Sequence, residues 1–293
     1  MDDQPSIPLK DESISIPEIT ISENKLGEFP WWFVGLILIA IWASFFIFSK
    51  ENYREAFLFI IVGIKFTIVT SLTAYVIATI LGLFAGLGRI SRNVVINNLA
   101  TLYIELIRGI PMLVLIFFIA FVGVPIAVDF LNKIGVLLLS LGLTSTGKFL
   151  TNLHNQAIAM NVRAIIALAV TYGAFLAEIF RAGIQSIGKG QMEASRSLGM
   201  SYKQAMQFVI LPQAIRNVLP ALGNDFVAMV KDSSLVSVLA VRDITQVARL
   251  YAGRSFRFRE AYVTLTVLYL IMTLALSMLV RYIEKRLRKN ERT

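Results

Sequence analysis

Four runs in this chain carry no charge over a length that crosses a bilayer. Trp31–Ser49 has 19 residues, 66–87 has 22, 110–128 has 19 and 261–280 has 20. A helix rises 1.5 Å per residue, so each run reaches about 30 Å, the thickness of membrane hydrocarbon. A helix apolar on every side has no face to offer water. Two further runs are less pure. Residues 164–180 carry Glu178, and 213–230 are interrupted by Arg216, Pro220, Gly223 and Asp225. The reading is an all-α membrane protein with six spans, the fifth irregular. Composition agrees: 56% of the 293 residues are hydrophobic and only 16% are charged, more apolar surface than a soluble domain of this size can hide.

Between the spans, Pro111 suits a helix start, and Pro125 is expected to kink or end the third span. The short apolar stretch 134–143 reads as an interfacial or re-entrant piece of a long loop, 129–161. Residues 1–30 hold Pro5, Pro8 and Pro17 among their prolines and several acids with few aromatics, and read as a flexible tail. No basic n-region opens the chain, so no cleavable signal peptide is expected.

Charge sets orientation. The chain has 28 Lys and Arg against 19 Asp and Glu, a net +9. In a membrane protein these bases mark cytoplasmic loops before they suggest nucleic acid, and no nucleic-acid partner is expected. Arg281, Lys285, Arg286, Arg288, Lys289 and Arg292 place the C-terminus inside, and counting back through six spans places the N-terminus inside too. One segment runs against the rule: Arg242, Arg249, Arg254, Arg257 and Arg259 fall outside by this count.

Several chemistries are excluded. There is no cysteine, and one histidine, His154, has no companion at ligand spacing; no metal site and no catalytic residue are expected. "GLTSTGKF" (142–149) comes close to a phosphate loop, but Phe149 stands where a magnesium-binding hydroxyl belongs and no strand precedes it.

The polar stretch "KGQMEASRSLGMSYKQAMQFVILPQA" (189–214) carries its own punctuation. Residues 191–198 suit a short helix with Glu193 and Arg196 paired at i,i+3. Gly199 supplies a left-handed stop. Ser201 and Gln204 form a capping box for a second helix, and Pro212 is expected to end it. A hairpin this well specified can act as a rigid lever for a soluble partner, or rest on lipid as an ordinary amphipathic loop.

"EASRSLGMSYKQAMQFVILPQA" resembles the coupling loop of ABC-importer permeases: Glu193, Ala194, Ser195, Gly199, Ile210, Leu211 and Pro212 hold its pattern, with Ser195 in place of a second alanine. "IELIRGIPMLVLIFFIAFVG" (104–123), "YGAFLAEIFRAGIQSIGKGQ" (172–191), "LPALGNDFVAMVKDSSLVSVLAV" (219–241) and "RYIEKRLRK" (281–289) are similar to the polar amino acid subfamily, over 57–127 and 162–289. Ile110, Leu115 and Ser233 depart from its usual threonine, glutamine and threonine. The resemblance implies a five-span type I importer core at 57–289, with an extra N-terminal span and connector at 31–56, an inserted external loop 129–161 and a cytoplasmic coupling loop 182–212. It implies two ATP-binding subunits holding ATP and magnesium, a second permease chain, an external solute-binding protein and an amino-acid substrate. No cofactor is expected in this chain.

Candidates for the substrate path come from polar residues near spans. Glu178 is one, though Arg181 at i+3 offers it a simple partner. Lys231 and Asp232 follow the irregular fifth span, where broken helices line paths or anchor at the interface. Thr67 and Ser71 share a helix face; such hydroxyls serve a solute or bond within the bundle. "GLFAG" (82–86) permits close helix approach. The competing class is an ion-coupled transporter or channel with no ATPase, which leaves the punctuated hairpin unexplained.

Overall fold

The computed structural model describes residues 31–289; the N-terminal tail of 1–30 lies outside them. In chain order the helices are α1 (Trp31–Ser49), α2 (Glu51–Ile60), α3 (Gly63–Arg89), α4 (Val94–Arg108), α5 (Met112–Phe118), α6 (Val124–Ser140), α7 (Thr144–Thr151), α8 (Met160–Gln185), α9 (Lys189–Ser197), α10 (Tyr202–Ala205), α11 (Leu211–Asp232), α12 (Ile244–Ser255) and α13 (Phe258–Lys289). Among the described residues five helical segments are long and apolar enough to cross a membrane: Trp31–Ser49, Glu51–Arg89, Met112–Ser140, Met160–Gln185 and Phe258–Arg286. The expected irregular span is the 22-residue α11. The chain divides into two units, Met1–Ile39 and Ala40–Thr293. The first contributes the apolar opening of α1. The second holds the bundle.

The bundle is built around α3 and α8, which lie side by side and run in the same direction. Small residues let them approach. A Cβ on Gly82 would sit 2.7 Å from Leu176 Cβ, and one on Gly86 2.7 Å from the Ala177 carbonyl. Both glycines of the 82–86 motif thus face α8, which brings the backbones together where lipid supplies no hydrophobic drive. α4 and α5 climb back against α8: Asn97 donates to the Arg89 carbonyl, Tyr103 to the Val170 carbonyl at 2.7 Å, and Arg163 to the Ala120 carbonyl at 2.7 Å. The break at 109–111 between α4 and α5 therefore falls beside the middle of α8. The sequence reading began this climb at Ile110 and missed α4, whose Asn97, Asn98, Glu105 and Arg108 disguise it as a polar connector.

Three proline and loop expectations change. Pro125 neither ends nor sharply breaks its helix. A π-turn, Ile119–Gly123, joins α5 to α6, so the helix continues from Met112 to Ser140. The stretch read as an interfacial piece, 134–143, is the end of that helix, and the supposed loop 129–161 opens as helix. α6 then folds onto α7 in a tight hairpin. A Cβ on Gly135 would meet Leu150 Cβ at 2.9 Å, and one on Gly147 would meet Leu139 Cγ at 2.6 Å. The near phosphate loop is thus a turn at Gly142 (φ +83°) followed by a helix whose Gly147 is buried in packing. The fifth span is not broken either: α11 is continuous through Pro220, and Lys231 and Asp232 are its last residues.

Candidate functional site

The hairpin at 189–212 forms from the punctuation that its sequence carries. α9 ends in a Schellman motif. Gly199 adopts φ +84°, its amide donates to Arg196 O at 3.0 Å, and the Met200 amide donates to Ser195 O at 3.2 Å. Ser201 caps the next helix, with both bonds of the capping box in place: Gln204 N to Ser201 Oγ at 3.3 Å and Ser201 N to Gln204 Oε1 at 2.8 Å. Ser195 and Ile210 are buried, while Glu193, Ala194, Gly199 and Pro212 are exposed. Two expectations fail. Glu193 and Arg196 do not pair; Arg196 donates to the Met200 carbonyl. Pro212 does not end the helix, because a second π-turn, Met206–Ile210, carries α10 straight into α11. The hairpin is therefore continuous with a long bundle helix. Leu198, at 82% exposed, and Phe208, at 64%, project from it with no apolar cover. Arg92, in the turn between α3 and α4, lies 5.9 Å over the Tyr202 ring.

Above the hairpin a charged cluster ties three helices together. Glu178 on α8 pairs with Arg89 from the end of α3 and accepts two bonds from Arg181, at 3.0 and 2.7 Å. Arg89 also pairs with Glu105 of α4 at 2.7 Å. Arg108 lies 5.8 Å from the Phe175 ring centroid. Glu178 is half-buried and fully engaged. The i,i+3 pairing with Arg181 was legible in sequence; Arg89, 89 residues away, was not.

A second polar cluster sits where α11 passes α8 and α3. Tyr172, buried, donates to Asp232 Oδ2 at 2.7 Å. Asp225 is seven residues earlier and so on the same helix face. Phe226 packs against Tyr75, ring centroids 5.1 Å apart, and the Tyr75 hydroxyl donates to the Leu222 carbonyl. Lys231 is exposed. Below Tyr75 a groove of ≈ 920 Å³ runs between α3, α8, α11 and α13, past Gly183, Arg216 and Val280. Of the remaining candidates, Thr67 is fully buried and its hydroxyl accepts from the Ile244 amide at 3.1 Å, so it serves packing between α3 and α12. Ser71 is fully buried and its hydroxyl has no partner within the described residues. Asp225, Tyr172 and Tyr75 were not read as site residues. In sequence Asp225 reads only as an interruption of the fifth span, although its spacing of seven from Asp232 is visible there. Beyond the end of α11, Asp243 caps α12; burial pushes its carboxyl up to about 6, against the amides of Gln246 and Thr245 that favour its charge.

Residues 78–289 match the family described as "Binding-protein-dependent transport system inner membrane component". The chain belongs to this family. As a permease of that kind it is 38% identical over 228 residues to the probable glutamine ABC transporter permease protein GlnM of Bacillus subtilis (strain 168), covering 78% of this chain and 93% of that one. It is 32% identical over 229 residues to the glutamine transport system permease protein GlnP of Escherichia coli (strain K12), with coverage of 78% and 93%. A crystal structure of an amino acid ABC transporter with histidines superposes with a TM-score of 0.65 at 36% identity, over 82% of this permease and 98% of that chain. An inward-facing MetNI methionine ABC transporter shares the fold at 18% identity, with a TM-score of 0.55. These alignments leave room for an added N-terminal span. The permease is a multi-pass membrane protein and a transport component.

Proposed function

We propose that this permease carries a polar amino acid across the membrane by alternating access, driven by two ATP-binding subunits that grip the 193–212 hairpin. ATP and magnesium are held by those subunits; this chain supplies the path and the lever. A second permease chain, identical or homologous, completes the path, and an external solute-binding protein delivers the substrate. Both termini face the cytoplasm. The observation that carries the reading is the hairpin's continuity with α11. A rigid connection transmits a shift that a hinge would absorb, and two states must differ in their contacts for ATP to select between them. Exposed Leu198 and Phe208 offer that partner an apolar grip.

The path is assigned to the α11 polar face. Asp232, steadied by Tyr172, and Asp225 provide negative charge for a substrate ammonium. Lys231 offers a cation for a carboxylate. The α4–α5 break, which lies beside α8, frees backbone amides at mid-helix depth, a feature from which solute sites in membranes are built. Ser71 is retained as a lining candidate. Glu178 is assigned to holding α3, α4 and α8 together. The amino-acid reading draws on relatives named for glutamine.

In the reconstituted transporter, Gly199→Pro and Glu193→Arg are expected to abolish ATP-driven uptake while membrane insertion is unchanged. Normal coupling in both variants overturns the lever. Because the chain has no cysteine, Met200→Cys reports sidedness unambiguously: labelling only from outside intact cells removes any grip by an ATPase. An ion-coupled carrier would transport without ATP, an outcome the same assay reads.

A further inference from the structure

The turn between α12 and α13 reads Arg254-Ser255-Phe256-Arg257-Phe258-Arg259. Phe256 adopts φ +58°, a left-handed conformation that bulky residues rarely enter. Glycine would relieve it. The turn is nonetheless pinned in place: the Phe256 amide donates to Ala252 O at 2.8 Å, and Arg257 pairs with Glu55 of α2 at 2.6 Å. Arg254 lies 5.5 Å from the Phe59 ring centroid, also on α2. The strained phenylalanine is not used inside the fold. It is 82% exposed, and Phe258 beside it is 53% exposed. Strain held at an exposed aromatic points to use by something outside the chain.

Charge surrounds this aromatic knob. Arg254 and Arg259 are exposed on the turn, and Arg54 is exposed on α2 next to Glu55. Arg242 is exposed at the opposite end of α12. This is the segment whose arginines run against the orientation rule. α11 leaves the hairpin and delivers the chain to this end of the bundle, so if the hairpin faces the cytoplasm the turn faces out. Basic residues there oppose correct insertion, and they gain less from lipid than bases beside the anionic cytoplasmic leaflet. Arginine and an exposed aromatic, rimmed by further charge, are the composition of a protein-docking centre.

We propose that the 254–259 turn, flanked by Arg54, is the landing surface for the acidic face of the external solute-binding protein. The inference rests on the orientation given under the proposed function. Arginines on rigid helices steer an acidic partner and set register, and Phe256 supplies the buried anchor.

The test uses the complete transporter in nanodiscs of neutral phosphatidylcholine, with its own solute-binding protein added at rising concentration and ATP hydrolysis as the readout. Arg54→Glu with Arg259→Glu, which reverses two exposed bases and leaves the contacts of Arg254 and Arg257 to α2 in place, is expected to raise the half-maximal binding-protein concentration at least ten-fold, with basal hydrolysis unchanged. Phe256→Ala, which removes an 82% exposed ring and leaves the left-handed backbone as it is, is expected to raise it by about five-fold. An unchanged half-maximal concentration in both overturns the proposal. So does a defect that appears only when phosphatidylglycerol replaces the neutral lipid, which assigns the turn to the membrane. Phe256→Cys, labelled by an impermeant maleimide on intact cells, separates the two readings: labelling from inside alone defeats the orientation, whereas outside labelling with unchanged docking defeats only this surface.

Discussion

Two regions of this molecule solve the same backbone problem with different means. At Ile119–Gly123 and at Met206–Ile210 a π-turn is followed, two residues later, by proline: Pro125 and Pro212. The geometry explains the pairing. In the first turn the Val124 amide donates five residues back to Ile119, and in the second Leu211 donates to Met206. The widened turn removes the clash between the proline ring and the preceding turn that would break an α-helix. One cost remains: proline has no N–H, so the carbonyl five residues back, Ala120 or Gln207, loses its helical donor. Gln207 lies on the exposed hairpin, where water can serve. Ala120 is buried, and Arg163 serves it.

Arg163 is 6% exposed and spends its guanidinium on neutral oxygens: Ala120 O at 2.7 Å, Ile158 O at 3.0 Å, Asn155 O at 2.6 Å and Asn155 Oδ1 at 2.6 Å. It binds the connector after α7 to the π-turn. The lesson is that a π-turn with proline is free to form where its orphan carbonyl reaches water, and needs a dedicated donor where it does not. The largest expected effect follows from this. Arg163→Met strands the buried Ala120 carbonyl and the partly buried Ile158 carbonyl, while Asn155 O keeps the Ile158 amide and water; at about 1–3 kcal/mol for each stranded group the loss is about 3 kcal/mol. The detergent-solubilised permease should lose roughly 6–12 °C in thermal midpoint. A shift below about 2 °C would mean that the carbonyls find other donors.

A sharper cut asks whether proline is the cause. Pro125→Ala restores an N–H in register with Ala120 O. Placed on Arg163→Met, it should recover about 1 kcal/mol, so that the double variant is more stable than Arg163→Met alone. Simple addition of two destabilising changes would refute the orphan-carbonyl account.

What was legible in the sequence divides along the same line. The uncharged runs announce spans because lipid tolerates little else, and the Gly199 stop and Ser201 box announce themselves because caps act over three or four residues. Arg163 was invisible: its acceptors are backbone carbonyls up to 43 residues away, and a carbonyl has no letter of its own. In sequence Pro125 suggests a kink or an end, Pro212 an end and Pro220 an interruption, yet helices run through all three. A proline forbids one hydrogen bond and one ring position, not a helix, and a π-turn upstream absorbs both objections at the first two sites. α4 is hidden because Asn98, Glu105 and Arg108 are polar and exposed, as in a connector, and Asp225 because a single charge in a span resembles an interruption.

On the exposed side the comparison is tested at Gly199. Its added Cβ would meet nothing within 4 Å, so Gly199→Ala costs only the left-handed torsion, about 1 kcal/mol. Amide exchange at Met200 should quicken by about five-fold, with the thermal midpoint of the bundle unchanged. Loss of the whole fold would show that the hairpin is more than a local unit.

The smallest effect belongs to Ser201→Ala. The cap bond from Gln204 N is 3.3 Å long and exposed, so water replaces much of it, and about 0.5 kcal/mol is expected, at the low end for capping residues. The interest lies in where the loss goes. The carbonyl that Pro212 leaves over, at Gln207, is on an exposed residue, so the start of this helix rests on the capping box. Weakening the box should therefore loosen residues 201–210 together, seen as faster exchange across the turn, while Ile119–Gly123 stays protected by Arg163. If Ser201→Ala leaves exchange at 206–210 untouched, the exposed π-turn is held by its packing at Ala205 and Ile210, both buried, and the two turns differ less in their supports than in their solvent.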